Sequence, residues 1–182
     1  MPPIDQRRLA ELLTRARDRD ASNSLRGRAL EDLAELIFEA VPGTTVVCAR
    51  REDVFRSQEI DVACRNAGQA EGLQDFDHII LIECKNWGSP VGAMEVAWFD
   101  TKLRIRSRTT GVLIAMNGIT GDAHSRQFAN AIVERALGEG RSVLVLEAHD
   151  IEQLASGEEL ADLLKRKEVD LNMTLGIPRS KP

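Results

Sequence analysis

Two short runs constrain this chain more than any other feature: Glu59-Ile60-Asp61-Val62 and Ile79-Ile80-Leu81-Ile82-Glu83-Cys84-Lys85. Both read as strands, and residues two apart on a strand point to the same face. Glu59 and Asp61 therefore share a face, as do Glu83 and Lys85. The neighbours Ile60, Val62, Ile80 and Ile82 are apolar. Three acids and a lysine at the mouth of an apolar strand pair are costly to desolvate. A divalent metal held by oxygen ligands would offset that cost. The structural alternative is an ion pair with Lys85, although buried pairs are a poor source of stability.

The rest of the chain sets bounds. At 182 residues it is most simply one domain, and 43% hydrophobic residues suffice for a sizeable core. Only 4% are aromatic, so that core should be mostly Leu, Ile, Val and Ala. The net charge of −5 excludes a protein basic all over, but not a local basic patch that meets nucleic acid. Cys48, Cys64 and Cys84 are odd in number and lack a C-x-x-C pair, which predicts reduced, mostly buried thiols of a cytoplasmic protein and no zinc site. The N-terminus has no apolar signal core, and no apolar run approaches the roughly 20 residues that span a bilayer.

Periodicity predicts helices over 4–18 and 25–41, the second ended by Pro42-Gly43. Strands follow at 44–49, 59–65 and 78–85, with a charged connection at 51–56 and a polar loop at 66–77. A helix is expected from Val91 to about Arg106, with Val91, Met94, Trp98 and Leu103 buried. Strands at 112–116 and 143–146 are all apolar and should be buried on both faces. Between them a helix runs over 123–137. Asp150 caps a short helix to Ser156, and another covers 158–167. The last dozen residues read as an arm or tail. The order α-α-β-β-β-α-β-α-β-α implies antiparallel hairpins first and parallel crossovers later. The expected fold is α/β, a mixed sheet with helices on both sides. The chain divides into an N-terminal helical extension (1–24), a central domain (25–156) and a C-terminal helix and tail (157–182).

On helix 25–41, Gly27, Leu30, Ala34, Ile37, Phe38 and Val41 form the apolar face, and Glu31 sits on that side. Taken alone it could be a boundary glutamate; combined with the strand acids it belongs to a constellation. Glu31 in Gly-Arg-Ala-Leu-Glu-Asp-Leu, then Asp61, then Glu83-Cys84-Lys85, resembles the PD-(D/E)XK nuclease superfamily with its restriction endonuclease-like fold (αβββαβ core). The runs Ile-Glu-Cys-Lys-Asn-Trp (82–87) and Gly-Val-Leu-Ile-Ala-Met-Asn-Gly-Ile-Thr (111–120) are most similar to its Mrr-type branch. The resemblance covers roughly residues 25–155. Two departures stand out: Ile60 replaces the proline before Asp61, and glycines frequent there in Mrr-like proteins are absent.

The resemblance implies that Asp61 and Glu83 ligate Mg2+ (or Mn2+), with the Cys84 carbonyl as another ligand and Glu31 acting directly or through water. It implies that Lys85 orients or helps deprotonate the attacking water and stabilises the pentavalent phosphate. The implied activity is a metal-dependent DNA endonuclease, in defence against foreign DNA or in DNA repair. Symmetric double-strand cleavage needs two sites and so implies a homodimer. The chain leaves little room for a separate sequence-reading domain, so a partner protein is one source of specificity. The alternatives are a structure-selective resolvase or nickase, and a catalytically silent nucleic-acid-binding or assembly module on the same fold.

Lys102, Arg104, Arg106 and Arg108, at the end of helix 91–106, are candidates to track phosphates, or else a solvated helix end whose cations suit the dipole. Trp87 is a candidate to stack on a base, or a core or rim residue. Gln127 is a further candidate to face the site. His78, His124 and His149 are scattered and carry no assigned chemistry.

Overall fold

The computed structural model describes residues 3–52, 59–119 and 123–174; within these, the side chains of 48–52, 59, 123–128 and 174 are not described. Part of the expected 51–56 connection, residues 120–122 and residues 175–182 of the expected tail thus lie outside the described residues; residues 171–174, also expected in the tail, instead belong to a C-terminal helix that continues past the expected end at 167. Eleven elements follow in the order α1 (Gln6–Arg17), α2 (Asn23–Glu39), β1 (Thr44–Glu52), β2 (Glu59–Asn66), β3 (Ile79–Lys85), α3 (Ala93–Ile105), β4 (Thr110–Ala115), α4 (Ala123–Gly138), β5 (Ser142–Leu146), α5 (Ala148–Glu152) and α6 (Gly157–Thr174).

The strands form one sheet in chain order, β1-β2-β3-β4-β5. β1, β2 and β3 pair antiparallel, and β3, β4 and β5 pair parallel. Alternation along each strand divides the sheet's side chains between two cores. Val62, Cys64, Ile80, Ile82, Val112 and Ile114 pack with α1, α2, α5 and α6. Ala63, Leu81, Leu113 and Ala115 pack with α3 and α4. β4 is buried along its whole length, as its unbroken apolar run requires.

Helix α1 joins the first core through Leu9, Leu12, Leu13 and Ala16, and α6 does so through Leu160, Ala161 and Leu164. Both ends of the described chain thus share one apolar core with the sheet. Asn86, just after β3, ties that strand end to the α1–α2 hairpin: its amide donates to the carbonyls of Ala16 (2.8 Å) and Arg26 (2.9 Å). Loop 66–77 is organised by the buried Asn66 amide, which donates to the Leu73 carbonyl at 2.6 Å.

Two further expectations need correction. On α3, Met94 (78%) and Trp98 (48%) are exposed, whereas Val96, Phe99, Asp100, Lys102 and Leu103 are buried. The sheet takes Val96, Phe99 and Leu103, at i, i+3 and i+7, as its contact stripe. Met94 and Trp98 then fall on the outer side. At α5 the N-cap is Glu147, not Asp150. Asp150 is the third residue of a capping box, and its carboxylate accepts the Glu147 N–H at 2.9 Å.

Gly111 lets α3 lie close to β4. A Cβ there would stand 2.7 Å from Phe99 Cζ and from Leu103 Cδ2. Gly111→Ala is expected to push α3 off the sheet and to cost about 1–3 kcal/mol of stability. Chemical denaturation checks this; an unchanged midpoint would show that α3 packs less tightly than this spacing implies.

Candidate active site

The site forms where two strands part. Regular β2–β3 pairing runs from Arg65↔Ile79 to Val62↔Ile82 and stops there. Beyond it, the Cys84 N–H, which an unbroken ladder would pair with backbone, donates to Asp61 Oδ2 at 2.7 Å. A carboxylate thus replaces a ladder carbonyl and is fixed against the start of Glu83-Cys84-Lys85. β3 continues in parallel register with β4, Glu83 opposite Leu113 and Lys85 opposite Ala115. Glu83 and Lys85 therefore lie on the α3 face of the sheet.

Glu83 is only 3% exposed. Its Oε1 meets Lys85 Nζ at 2.7 Å, and its Oε2 meets Lys102 Nζ at 2.6 Å. Lys102 is itself buried, at 5% exposure, and reaches Glu83 from α3. Burial pushes the Asp61 carboxyl up to about 6, and the Glu83 charge adds to the rise. The Cys84 N–H, Lys85 and Lys102 act against that rise. For Lys85, burial disfavours the ammonium, but Glu83 and Asp61 outweigh it and raise its pKa above the usual lysine value. The Cys84 thiol is pushed well up by burial, then by the charges of Asp61, Glu31 and Glu83, so it stays neutral.

Glu31 approaches from the other side. α2 packs on the sheet face that carries Cys84, and Cys84 Sγ lies 4.0 Å from the Leu30 carbonyl oxygen. Glu31 is half-buried there and engaged with neighbours. Among the described residues, no three His, Cys, Asp or Glu groups are arranged to hold a metal ion together. Asp61 and Glu83 are nevertheless a donor set that fits a hard divalent cation: two oxygen-bearing carboxylates whose mutual repulsion a cation would relieve. The side chains of Glu59 and Gln127 lie outside the described residues.

The surface candidates separate. Trp87 is 42% exposed, just beyond β3, and its carbonyl accepts from Asn117 Nδ2. Arg104 is exposed and Arg106 half-buried at the end of α3. Lys102 does not join them, because it is spent on Glu83. Its burial was missed because lysine reads as a surface residue. The available signal was its place one turn beyond Phe99 and beside Leu103, together with two strand carboxylates, Asp61 and Glu83, that one lysine only half neutralises. A groove of about 410 Å³ runs beside Lys85, lined also by Met94, Glu95, Ala97, Trp98 and Thr101. The larger cavity of about 690 Å³ runs along α1 to Glu152 and includes none of the site residues.

A carboxylate pair at a strand mouth, with a lysine two residues on and helices on both faces, has the make-up of a nuclease domain. A family model described as restriction endonuclease, the Mrr-type catalytic domain, matches residues 22–164. The chain belongs to this family, and its five-stranded mixed sheet is the restriction endonuclease-like fold. A search of curated proteins finds no match. Among the described residues, no helix is long and apolar enough to cross a membrane.

The raised Asp61 pKa has a consequence for stability. Between about 4 and about 6 the folded chain keeps a proton that the unfolded chain has released, so stability falls as pH rises through that window. Asp61→Asn retains an oxygen to accept the Cys84 N–H and removes the charge. In chelator it is expected to be more stable than wild type above about pH 7, on the order of 2 kcal/mol, with the two converging near pH 4. Thermal melts across pH check this, and parallel curves would show that Asp61 ionises without penalty.

Proposed function

We propose that this chain is a metal-dependent endonuclease hydrolysing DNA phosphodiester bonds. The observation that carries the reading is the pair Asp61 and Glu83, two largely buried carboxylates held together against their repulsion at a strand mouth. Such an arrangement costs stability and is characteristic of functional sites. Asp61 and Glu83 would hold Mg2+ or Mn2+, with the Cys84 carbonyl beside them and Glu31 reaching in through water. The bound ion would neutralise a phosphodiester and acidify a water.

The chain's own groups do the rest. The Asp61 carboxylate is kept in place by the Cys84 N–H, so one ligand is pre-positioned. Lys85, on Glu83 Oε1, is the less buried of the two lysines and lines the groove beside α3. From there its ammonium orients the attacking water and stabilises charge building on the phosphate oxygens. On α3, exposed Trp98 and Arg104 offer flat apolar surface and a cation for DNA, and the exposed Trp87 just beyond β3 is a further stacking surface. A second copy of the chain would supply the second cut of a duplex, and roles in defence or in repair both fit this chemistry.

One observation favours the rival, a catalytically silent nucleic-acid-binding module: both Glu83 oxygens already carry an ammonium. Metal binding separates the two readings, since a silent module has no use for it.

Supercoiled plasmid incubated with Mg2+ or Mn2+ is expected to be nicked or linearised, and chelator is expected to stop it. Asp61→Ala should abolish cleavage. Lys85→Ala is expected to lower the rate by at least about a hundredfold while metal binding persists. Undiminished cleavage by both variants would place the active site elsewhere. Loss of one partner leaves a buried charge uncompensated, so Glu83→Ala is expected to destabilise the fold by about 3–5 kcal/mol as well as to inactivate it.

A further inference from the structure

The two ammoniums on Glu83 differ in kind. Lys85 stands two residues along the same strand, and its side chain is 24% exposed toward the groove. Lys102 comes from α3, its side chain is 6% exposed, and its helix neighbours Phe99 and Leu103 are fully buried. Two carboxylates (Asp61, Glu83) and two ammoniums (Lys85, Lys102) cancel in formal charge. A divalent ion added to that balance leaves two surplus positive charges, and one phosphodiester removes only one of them. In a site largely shielded from water, such a surplus is strongly repulsive. Glu83 has two oxygens and each already carries an ammonium, so an ion that takes either one as a ligand contends with a lysine.

Building on the metal-assisted reaction proposed above, we propose that Lys102 is a resident counter-ion that competes with the divalent metal for Glu83. In the metal-free chain it occupies Oε2 and, with Lys85, neutralises the pair Asp61 and Glu83, which one lysine would leave half-neutralised. Metal uptake displaces it, so the chain binds metal weakly, and loading the site is coupled to release of the α3 side chain. Lys102 is thus a positioning residue acting through Glu83, and Lys85 remains the lysine that faces substrate.

Calorimetric titration of Mn2+ into wild type, Lys102→Met and Asp61→Ala tests this. Methionine keeps the stem of Lys102 and removes the charge. Lys102→Met is expected to bind Mn2+ at least about tenfold more tightly than wild type, and its melting temperature in chelator should recover on adding the ion. A lysine that merely braces the fold would not raise metal affinity. Equal or weaker binding by folded Lys102→Met, with wild type binding and Asp61→Ala not, overturns this inference and leaves the metal-dependent reading standing. No binding by wild type or by Lys102→Met overturns both. If Lys102→Met does not fold, the wild type still decides. The shielded Lys102 ammonium signal in lysine side-chain NMR should shift or vanish on adding Mg2+, and an unchanged signal overturns the proposal.

Discussion

Glu83 is the group on which the rest of this site depends. It is a carboxylate on a central strand, shut off from water and placed between two ammoniums. Removing such a charge from water costs several kcal/mol, and ion pairing recovers that cost only with good geometry. The geometry here comes from two sources: the two-residue period of β3, which puts Lys85 on the same face, and the seating of α3, which delivers Lys102. α3 is itself oriented by a second buried ion pair, Asp100 with Arg141, at 2.7 Å and 3.2 Å. Arg141 precedes β5, so this pair ties α3 to the far end of the sheet. The two pairs, with Gly111 permitting close approach, fix how the helix lies. An apolar interface alone would set its distance from the sheet but not which residues meet Glu83.

The strand mouth shows how irregular pairing makes room for chemistry. Had β2 and β3 continued in register past Val62 and Ile82, the Cys84 N–H would have paired with backbone. Instead it is satisfied by the Asp61 side chain, and the carboxylate that replaces a carbonyl brings a charge next to Glu83. Backbone satisfaction and ligand placement are one interaction. The same substitution explains why the Asp61 pKa is raised rather than lowered: one backbone hydrogen bond and two neighbouring ammoniums do not outweigh burial and the Glu83 charge. Asp61 is thus held in place and electrostatically uncomfortable at once, a condition that a bound cation would relieve.

The sheet was legible in the sequence because its signals were local. Apolar runs at 79–82 and 112–116 gave the central strands, and the change from adjacent strands to alternating helix and strand gave the change from antiparallel to parallel pairing. The strand acids were legible for the same reason, since alternation alone puts Glu83 and Lys85 together. α3 was harder. It carries Met94, Trp98 and Ile105 on its outside and Val96, Phe99 and Leu103 on its inside, so apolar residues fall on every side and periodicity does not fix its phase. Taking Met94 and Trp98 as core exchanges the inner and outer apolar sides of the helix, but that choice does not decide Lys102, which stands one turn beyond Trp98; lysine simply reads as a surface residue. The deciding information was tertiary: two neighbouring carboxylates, Asp61 on β2 and Glu83 on β3, that one lysine does not balance and that draw in a second cation.

That misreading shows where function sits in this fold. The outer apolar side of α3, left uncovered by the sheet, forms the wall of the groove beside Lys85, and Trp98 belongs to it. A helix that buried Met94 and Trp98 would have lost the groove wall. The sequence therefore places large apolar side chains where they gain no core burial and a lysine where it costs desolvation. Both choices run against stability, and both occur on one helix, one turn apart, with Trp98 beside Lys85 and Lys102 on Glu83. Their coincidence there points to the demands of the site rather than to slack packing.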